Sequence, residues 1–96
     1  MNRVVLSAQL VQRGVMRYTP AGIPALDLVL RHESELSENG QLRKVSFEIR
    51  ALALGDVTQP LAAMSLGDAA LLGGFLAAGR NGRSVQFHIT TFERAA

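Results

Sequence analysis

The chain has 96 residues, which is enough for one small domain and too few for two. Apolar residues make up 48% of it and charged residues 19%, a balance typical of a folded protein and too apolar for intrinsic disorder. Ten basic and eight acidic residues leave a net charge of +2, and there is no cysteine. Disulfides, thiolate metal sites and thiol nucleophiles are therefore excluded, and any nucleic-acid binding must depend on clustered cations rather than on bulk charge.

The sequence shows no signal for a membrane or for export. No apolar run approaches the ~18–20 residues of a membrane span. Residues 1–7 become polar too early for a signal peptide. We therefore expect a cytoplasmic protein.

Alternation of apolar and polar residues predicts the first strand over residues 4–11. Valines lie on both of its faces, which indicates that the second face is covered by more of the chain or by a partner. Gly14 interrupts the pattern, which resumes over residues 15–18. A glycine inside a strand pattern is typical of a bulge or a sharp bend.

A turn containing two prolines and a glycine, residues 19–24, leads to a second strand over residues 26–31. The acidic, polar segment 33–41 contains Asn39-Gly40 and is predicted to be a mobile hairpin connection.

The third strand is expected over residues 42–54. Its alternation is predicted to turn Val45, Phe47 and Ile49 towards the core and the polar residues between them outwards.

One or two turns of helix are expected within residues 55–66, because Pro60 suits a first helical turn and helix formers follow it. Leu61 and Met64 are expected to close the core. The fourth strand is predicted over residues 69–78. An Asn81-Gly82 hairpin then leads to a fifth strand over residues 84–93, with one face formed by Val85, Phe87, Ile89 and Thr91.

Five strands with one short helix between the third and the fourth is the element order of an OB-fold barrel. We predict an all-β protein whose residues 1–96 form a single OB-fold domain. The alternative is an SH3-like barrel, in which the helical element usually lies elsewhere and is shorter.

Three segments resemble the bacterial single-stranded-DNA-binding protein superfamily and, within it, the family of primosomal replication protein N (PriB). They are residues 2–7, 17–24 and 66–76. The resemblance implies a homodimeric, non-enzymatic protein that binds single-stranded DNA without sequence preference. It also implies partnership with the PriA helicase and other primosome proteins in DNA replication restart, with no cofactor.

An OB-fold binds nucleic acid over its second and third strands and the two loops beside them. The cations predicted on this surface are Arg17, Arg31, Lys44, Arg50, Arg80 and Arg83. The acidic residues of the predicted connection, Glu33, Glu35 and Glu38, are expected to be swung away from it. The charges alone are also consistent with a merely solvated surface.

Aromatic residues for base stacking are scarce on this surface. Where the family has an exposed tryptophan, this chain has Ser46 or, one residue along, Phe47. Tyr18 offers the best alternative platform, and Phe92, near the end of the chain, a weaker one. A further cationic position of the family corresponds to Glu33 in this chain. The neighbouring His32 is expected at the surface and is counted among the DNA-binding residues. His32 and His88 are the only histidines, so no metal site is expected.

A dimer is expected to form by pairing of the first strand with its two-fold mate, because an unpaired edge otherwise invites aggregation. The predicted contact residues are Val5, Ser7, Gln9 and Val11; the alternative is that these residues lie under the helix.

A second functional hypothesis is an OB-fold protein–protein interaction module that binds a helicase and has weak or no affinity for DNA. An RNA-binding protein of the cold-shock type is disfavoured, because the aromatic-rich strands that stack RNA bases are missing.

Overall fold

Six strands and one helix make up the fold in a computed structural model that describes residues 1–94. The strands are β1 (Val4–Arg13), β2 (Arg17–Tyr18), β3 (Pro24–Glu38), β4 (Gln41–Leu54), β5 (Ala69–Ala78) and β6 (Val85–Arg94). The helix, α1 (Thr58–Ala63), follows a 3-10 turn at Gly55–Val57. It lies within the predicted helical segment and is six residues long.

The five long strands close into a barrel. Their order is β1-β5-β6-β4-β3, and a second pairing of β1 with the middle of β3 completes the ring. The two-residue β2 pairs with the start of β3. The β4–β6 pairing is parallel and the remaining pairings are antiparallel. The helix lies between the third and fourth long strands, so the predicted OB fold is confirmed.

Inward-facing side chains of every long strand fill the barrel. The largest fully buried apolar ones are Leu10, Leu26, Leu30, Leu72 and Phe87, and Leu61 of α1 joins them. Leu61 and Met64 belong to this core cluster, as predicted.

The predicted mobile connection over residues 33–41 is wrong, because nearly all of it is strand. β3 and β4 stay in register as far as Glu38 and Gln41, leaving only Asn39 and Gly40 as a two-residue turn. Both turn residues have positive φ, 51° and 77°, as tight hairpin turns require. We call residues 32–47 the hairpin arm, since β1 pairs with β3 only from Leu28 to Arg31. The arm extends beyond the core, so neither of its faces has to be apolar, and its sequence lacks the alternation by which a half-buried strand is recognised.

Phe47 illustrates the same effect. The alternation of β4 predicts that Phe47 points into the core, yet this residue is 40% exposed. It lies on the face that is buried inside the barrel, but at a point where the arm has already left the barrel. Its ring instead contacts His32 on β3, with the ring centroids 5.2 Å apart.

Two bulges change which side chains face inwards. The irregularity in β1 lies between Leu10 and Gln12 rather than at Gly14. In the β5–β6 pair, Gly73 pairs with Thr91 and Gly74 with Ile89, so β6 carries one extra residue. The alternation of β6 therefore flips there. Phe92 packs against the core and Thr91 is exposed, whereas the sequence pattern placed Thr91 on the same face as Ile89.

The second bulge requires a glycine at position 74. A Cβ atom built there would lie 1.7 Å from the carbonyl oxygen of His88, deep inside van der Waals contact. The absence of a side chain therefore lets β5 and β6 approach each other beside His88.

We expect Gly74→Ala to lower the free energy of unfolding by about 1–3 kcal/mol, because β5 must move away from β6 to make room for the methyl group. Urea denaturation at fixed protein concentration measures this change. Gly14→Ala is the matched control, since its Cβ would lie 3.5 Å from the nearest atom, the Asp27 carbonyl oxygen. Equal stability of the two variants would contradict this account of the bulge.

Candidate nucleic-acid interface

An open groove of about 1200 Å³ crosses the outer face of the barrel over β3 and β4. The β1–β2 turn forms one wall and the β5–β6 hairpin forms the other. The groove suits a chain better than a compact small molecule, because its volume exceeds that of ordinary small-molecule sites and it is open to solvent.

Strand register determines which side chains form the floor of the groove. Val29 of β3 pairs with Arg50 of β4, and Asp27 pairs with Leu52. The parallel pairing of β4 with β6 then brings His88 beside Leu52. All five side chains line the groove, so its floor combines one cation, one carboxylate, two apolar side chains and an imidazole.

Three of the predicted cations meet in this groove. Arg17 comes from β2, Arg50 from β4 and Arg80 from the β5–β6 hairpin. Arg17 donates from Nε to Oδ2 of Asp27 at 3.1 Å, in a pair whose two side chains are about half exposed. Exposed pairs of this kind contribute little to stability, so Arg17 can exchange its carboxylate for another anion at small cost. Within residues 1–94, Arg50 and Arg80 form no ion pair.

The β5–β6 hairpin holds its arginines through Asn81. The side-chain oxygen of Asn81 accepts hydrogen bonds from the backbone N–H groups of Arg83 and Ser84, at 2.9 and 3.2 Å. This closed turn places Arg80 at the groove wall and Arg83 in the exposed turn beside it. Tyr18, next to Arg17 on β2, is 68% exposed.

The other predicted residues of β3 and β4 follow the same outer face away from the groove and along the arm. Arg31 forms a 3.1 Å ion pair with Glu48. Farther out, Ser46 pairs across the strands with Glu33, and Lys44 pairs with Glu35. The expectation that the glutamates are swung away is therefore wrong for Glu33 and Glu35. Glu33 and Glu35 share the outer face with Lys44, whereas Glu38 lies on the opposite face and pairs with Arg43. The three glutamates of the arm outnumber its two cations, so the clustered cations lie in the groove.

His32 does not reach this surface, and its expected position there is wrong. It lies on the inward face of β3 and is buried. Its Nδ1 is 2.6 Å from the carbonyl oxygen of Ser7, and its Nε2 is 2.8 Å from Oγ of Ser34. A carbonyl oxygen only accepts, so Nδ1 donates to Ser7, and the hydroxyl of Ser34 can donate to Nε2. His32 thus connects the base of the arm to β1.

Sequence reasoning missed two features near the groove. Arg13 donates from Nη1 to the carbonyl oxygens of Leu61 and Met64, which ties β1 to the end of α1. Phe75 and His88 form a stacked pair, with ring centroids 4.9 Å apart and planes 17° apart. The first contact spans about fifty positions of sequence and leaves no local signal. The second leaves a partial signal: β-alternation places Phe75 on the outer face, but the stack itself depends on the close backbone approach at Gly74.

Two negative observations apply to the part of the chain that the structure describes. It contains no group of three or more histidine and carboxylate side chains placed to hold a metal ion. It also contains no helix with the length and apolarity needed to span a membrane.

A closed five-stranded barrel with a helix at this position and a groove over these strands defines an OB-fold protein. A family model described as "Another single-strand binding protein family" matches residues 2–91. Among the chain's relatives is a Bordetella pertussis protein named Replication restart protein PriB, 45% identical over 97 residues. The match covers 100% of this chain and 91% of that protein. A Neisseria gonorrhoeae protein of the same name is 46% identical, over 79% of this chain and 75% of its own length.

Solved structures agree with the sequence matches. PriB from Ralstonia solanacearum superimposes with a TM-score of 0.90 at 38% identity, covering 100% of this chain and 99% of that one. The single-stranded DNA binding protein from Thermus aquaticus gives a TM-score of 0.76 at 28% identity, covering all of this chain and 50% of that one. The chain therefore belongs to the single-strand binding protein family and, within it, to the PriB family.

We expect His32→Ala to lower the free energy of unfolding by about 1–3 kcal/mol, because the change removes two hydrogen bonds at a buried position. Thermal or urea denaturation at one protein concentration measures the loss. Ser46→Ala, on the exposed face of the neighbouring strand, is expected to change stability by less than about 0.5 kcal/mol. A His32→Ala protein as stable as the unsubstituted chain would show that these hydrogen bonds are not structural.

Proposed function

We propose that this chain is a non-enzymatic, single-stranded-DNA-binding accessory protein of replication restart. The observation that carries the proposal is the meeting of Arg17, Arg50 and Arg80 in one open groove, although they come from three separate elements. Binding to a flexible polyanion needs cations spaced along its path, together with surfaces on which bases can lie. The names of the PriB relatives support the role in replication restart.

Binding through this groove is expected to be independent of sequence. Arginine contacts to phosphates carry no sequence information, and stacking tolerates every base. The floor of the groove offers Arg50 for a phosphate and the apolar Val29 and Leu52 for a base or sugar. Arg31, Lys44, Ser46, Arg83 and Tyr18 would extend the contact to either side. His32 and Phe47, also expected as contacts, lie on the inward face and do not join this path.

We expect Arg50→Ala and Arg80→Ala each to weaken binding of oligo-dT roughly fivefold to tenfold at 50 mM salt, because each loses one phosphate contact. The slope of log affinity against log salt should fall by about 0.7 for each variant and by about 1.4 for the double variant. Fluorescence anisotropy with a labelled oligo-dT, titrated at several salt concentrations, measures both quantities.

Arg43→Ala is the matched control, because Arg43 pairs with Glu38 at 3.1 Å near the tip of the arm, away from the groove. Its affinity and salt slope should equal those of the unsubstituted protein. If the unsubstituted protein binds no oligo-dT at micromolar concentration in 50 mM salt, the proposed function is wrong. Unchanged slopes in both groove variants would instead mean that the strand lies elsewhere.

We also propose that the protein works in the cytoplasm as a homodimer that pairs through β1. The edge of β1 facing β3 is paired only from Gln9 to Arg13, so residues 4–8 have a strand neighbour, β5, on one side. The ring of His32 approaches this edge at Ser7. Val5, Ser7 and Gln9 are exposed and so do not lie under the helix. Val11 is half-buried at the bulge and lines the groove.

We expect Val5→Asp to weaken dimerisation at least about tenfold, which is ~1.4 kcal/mol, because a two-fold contact would bury one unpaired carboxylate in each half of the interface. Sedimentation velocity over a range of concentrations measures the dimer fraction. Leu42→Asp, at the exposed end of the arm, is the control for adding a charge at an apolar surface position. If the unsubstituted protein sediments as a monomer at all concentrations, the β1 dimer is excluded.

The proposed partners are PriA helicase and other primosome proteins. The second hypothesis, a helicase-binding module with weak DNA affinity, draws on the ion pairs Arg17–Asp27 and Arg31–Glu48, which occupy two of the expected cations. Both pairs are about half exposed, so displacement of their carboxylates by phosphates lowers DNA affinity only modestly. The groove variants separate the two hypotheses. If the double Arg50→Ala, Arg80→Ala protein stimulates the helicase fully on a forked substrate, the helicase contact does not depend on DNA bound in the groove.

A further inference from the structure

Phe75 is a large apolar side chain that does not pack in the core of the barrel. It lies on the outer face of β5, is 39% exposed and is not among the side chains that pack against the core. Its ring stacks on His88, which lies in the floor of the groove. The outer face of β5 therefore continues the groove floor by one aromatic side chain.

The flanking residues leave the ring of Phe75 uncovered. Residues two positions apart share a face of a strand, so the neighbours of Phe75 along β5 are Gly73 and Ala77. Neither carries enough atoms to lie over a phenyl ring. The bulge at Gly74 sets the ring beside His88, because it allows the two backbones to approach at that point.

The contacts of Asn2 and Val4 place the cation Arg3 beside Phe75, on the side away from His88. The side chain of Asn2 bonds to the backbone of Leu76 through Nδ2 and Oδ1, at 2.6 and 3.0 Å, and Val4 pairs with Gly74. Arg3 lies between these two fixed points and so falls beside Phe75. Because Val4 packs against the core, alternation turns Arg3 to the outer face that carries Phe75.

We propose that Phe75, supported by His88, is a stacking position for one nucleobase of the bound strand, and that Arg3 contacts the phosphate beside it. The strand then leaves the groove over β6 and β5 and runs towards the start of β1. This inference rests on the proposed single-strand binding and adds a second segment to its path. Phe75 would then supply from β5 the stacking aromatic that the family carries at the position of Ser46 on β4.

One variant tests the stacking of a base on Phe75, and a second tests the phosphate contact of Arg3. Phe75→Leu keeps an apolar side chain and removes the ring, so oligo-dT affinity should fall about fivefold to tenfold with no change in salt slope. Arg3→Ser should lower the slope by about 0.7. Phe92→Leu is the control for loss of a phenyl ring from the same barrel, since Phe92 packs against the core. Its affinity should be unchanged even where its stability is lower.

Photocrosslinking on the unsubstituted protein keeps the test independent of how any variant folds. An oligo-dT carrying 5-bromodeoxyuridine at successive positions is irradiated with the protein, and crosslinked peptides are identified by mass spectrometry. A crosslink within residues 73–77 or at His88 is the expected result. If oligo-dT binds with the Arg50 dependence described above, but Phe75→Leu binds normally and no such crosslink forms, this inference is wrong and the proposed function stands. If oligo-dT does not bind at all, both are wrong.

Discussion

The continuous pairing of β3 with β4 is the constraint on which the rest of the structure depends. From Ala25 and Leu54 to Glu38 and Gln41, no residue is skipped on either strand. Because side chains alternate strictly in such a pair, the register alone decides that Leu28 and Ala51 enter the core while Val29 and Arg50 face outwards. A slip by one residue would bury Arg50 and expose the core leucines. The floor of the groove and the buried interior are thus opposite faces of the same ladder.

The same ladder explains the distribution of charge. On the barrel, the outward face of β3 and β4 meets cations from two other elements, and the charges accumulate in a groove. On the outer face of the arm, cations and carboxylates lie opposite each other across the strands, as in the pairing of Lys44 with Glu35. Under the proposed function, a polyanion is attracted to the place where the arginines of β2 and of the β5–β6 hairpin converge. The net charge of +2 says little about this local field.

The sequence predicted the barrel well because the barrel depends on local patterns. Alternation located the barrel portions of the long strands, and Pro60 lies in the predicted helix. Asn39-Gly40 forms the predicted tight turn, whereas Asn81-Gly82 lies within a six-residue connection, residues 79–84, rather than a two-residue hairpin. Membership of the PriB family was likewise detectable from short segments. The predictions failed where long-range geometry overrides alternation. The extra residue in β6 exchanges the environments of Thr91 and Phe92, and a one-residue bulge has no reliable local signal.

The candidate site was predictable in part for a related reason. Arg17, Arg50 and Arg80 line one groove, and their common location could be predicted because loops and outward strand positions follow from topology. The burial of His32 and the exposure of Phe47 depend on where β1 stops supporting β3, which only the fold defines. The stack of Phe75 on His88 depends on a close backbone approach at Gly74. Phe75 lies on β5, whereas the family's exposed tryptophan corresponds to Ser46 on β4, so matching that one position does not reveal Phe75.

The two hydrogen bonds from Asn2 to the backbone of Leu76 have a practical consequence for handling the protein. They fasten the amino-terminal residues across β5, next to Arg3 and close to the open edge of β1. An affinity tag fused directly before Met1 would emerge over that surface and compete with anything that binds there. Purification handles are better placed at the other terminus or removed by a protease that leaves no extra residues, so that assays report on the protein and not on its tag.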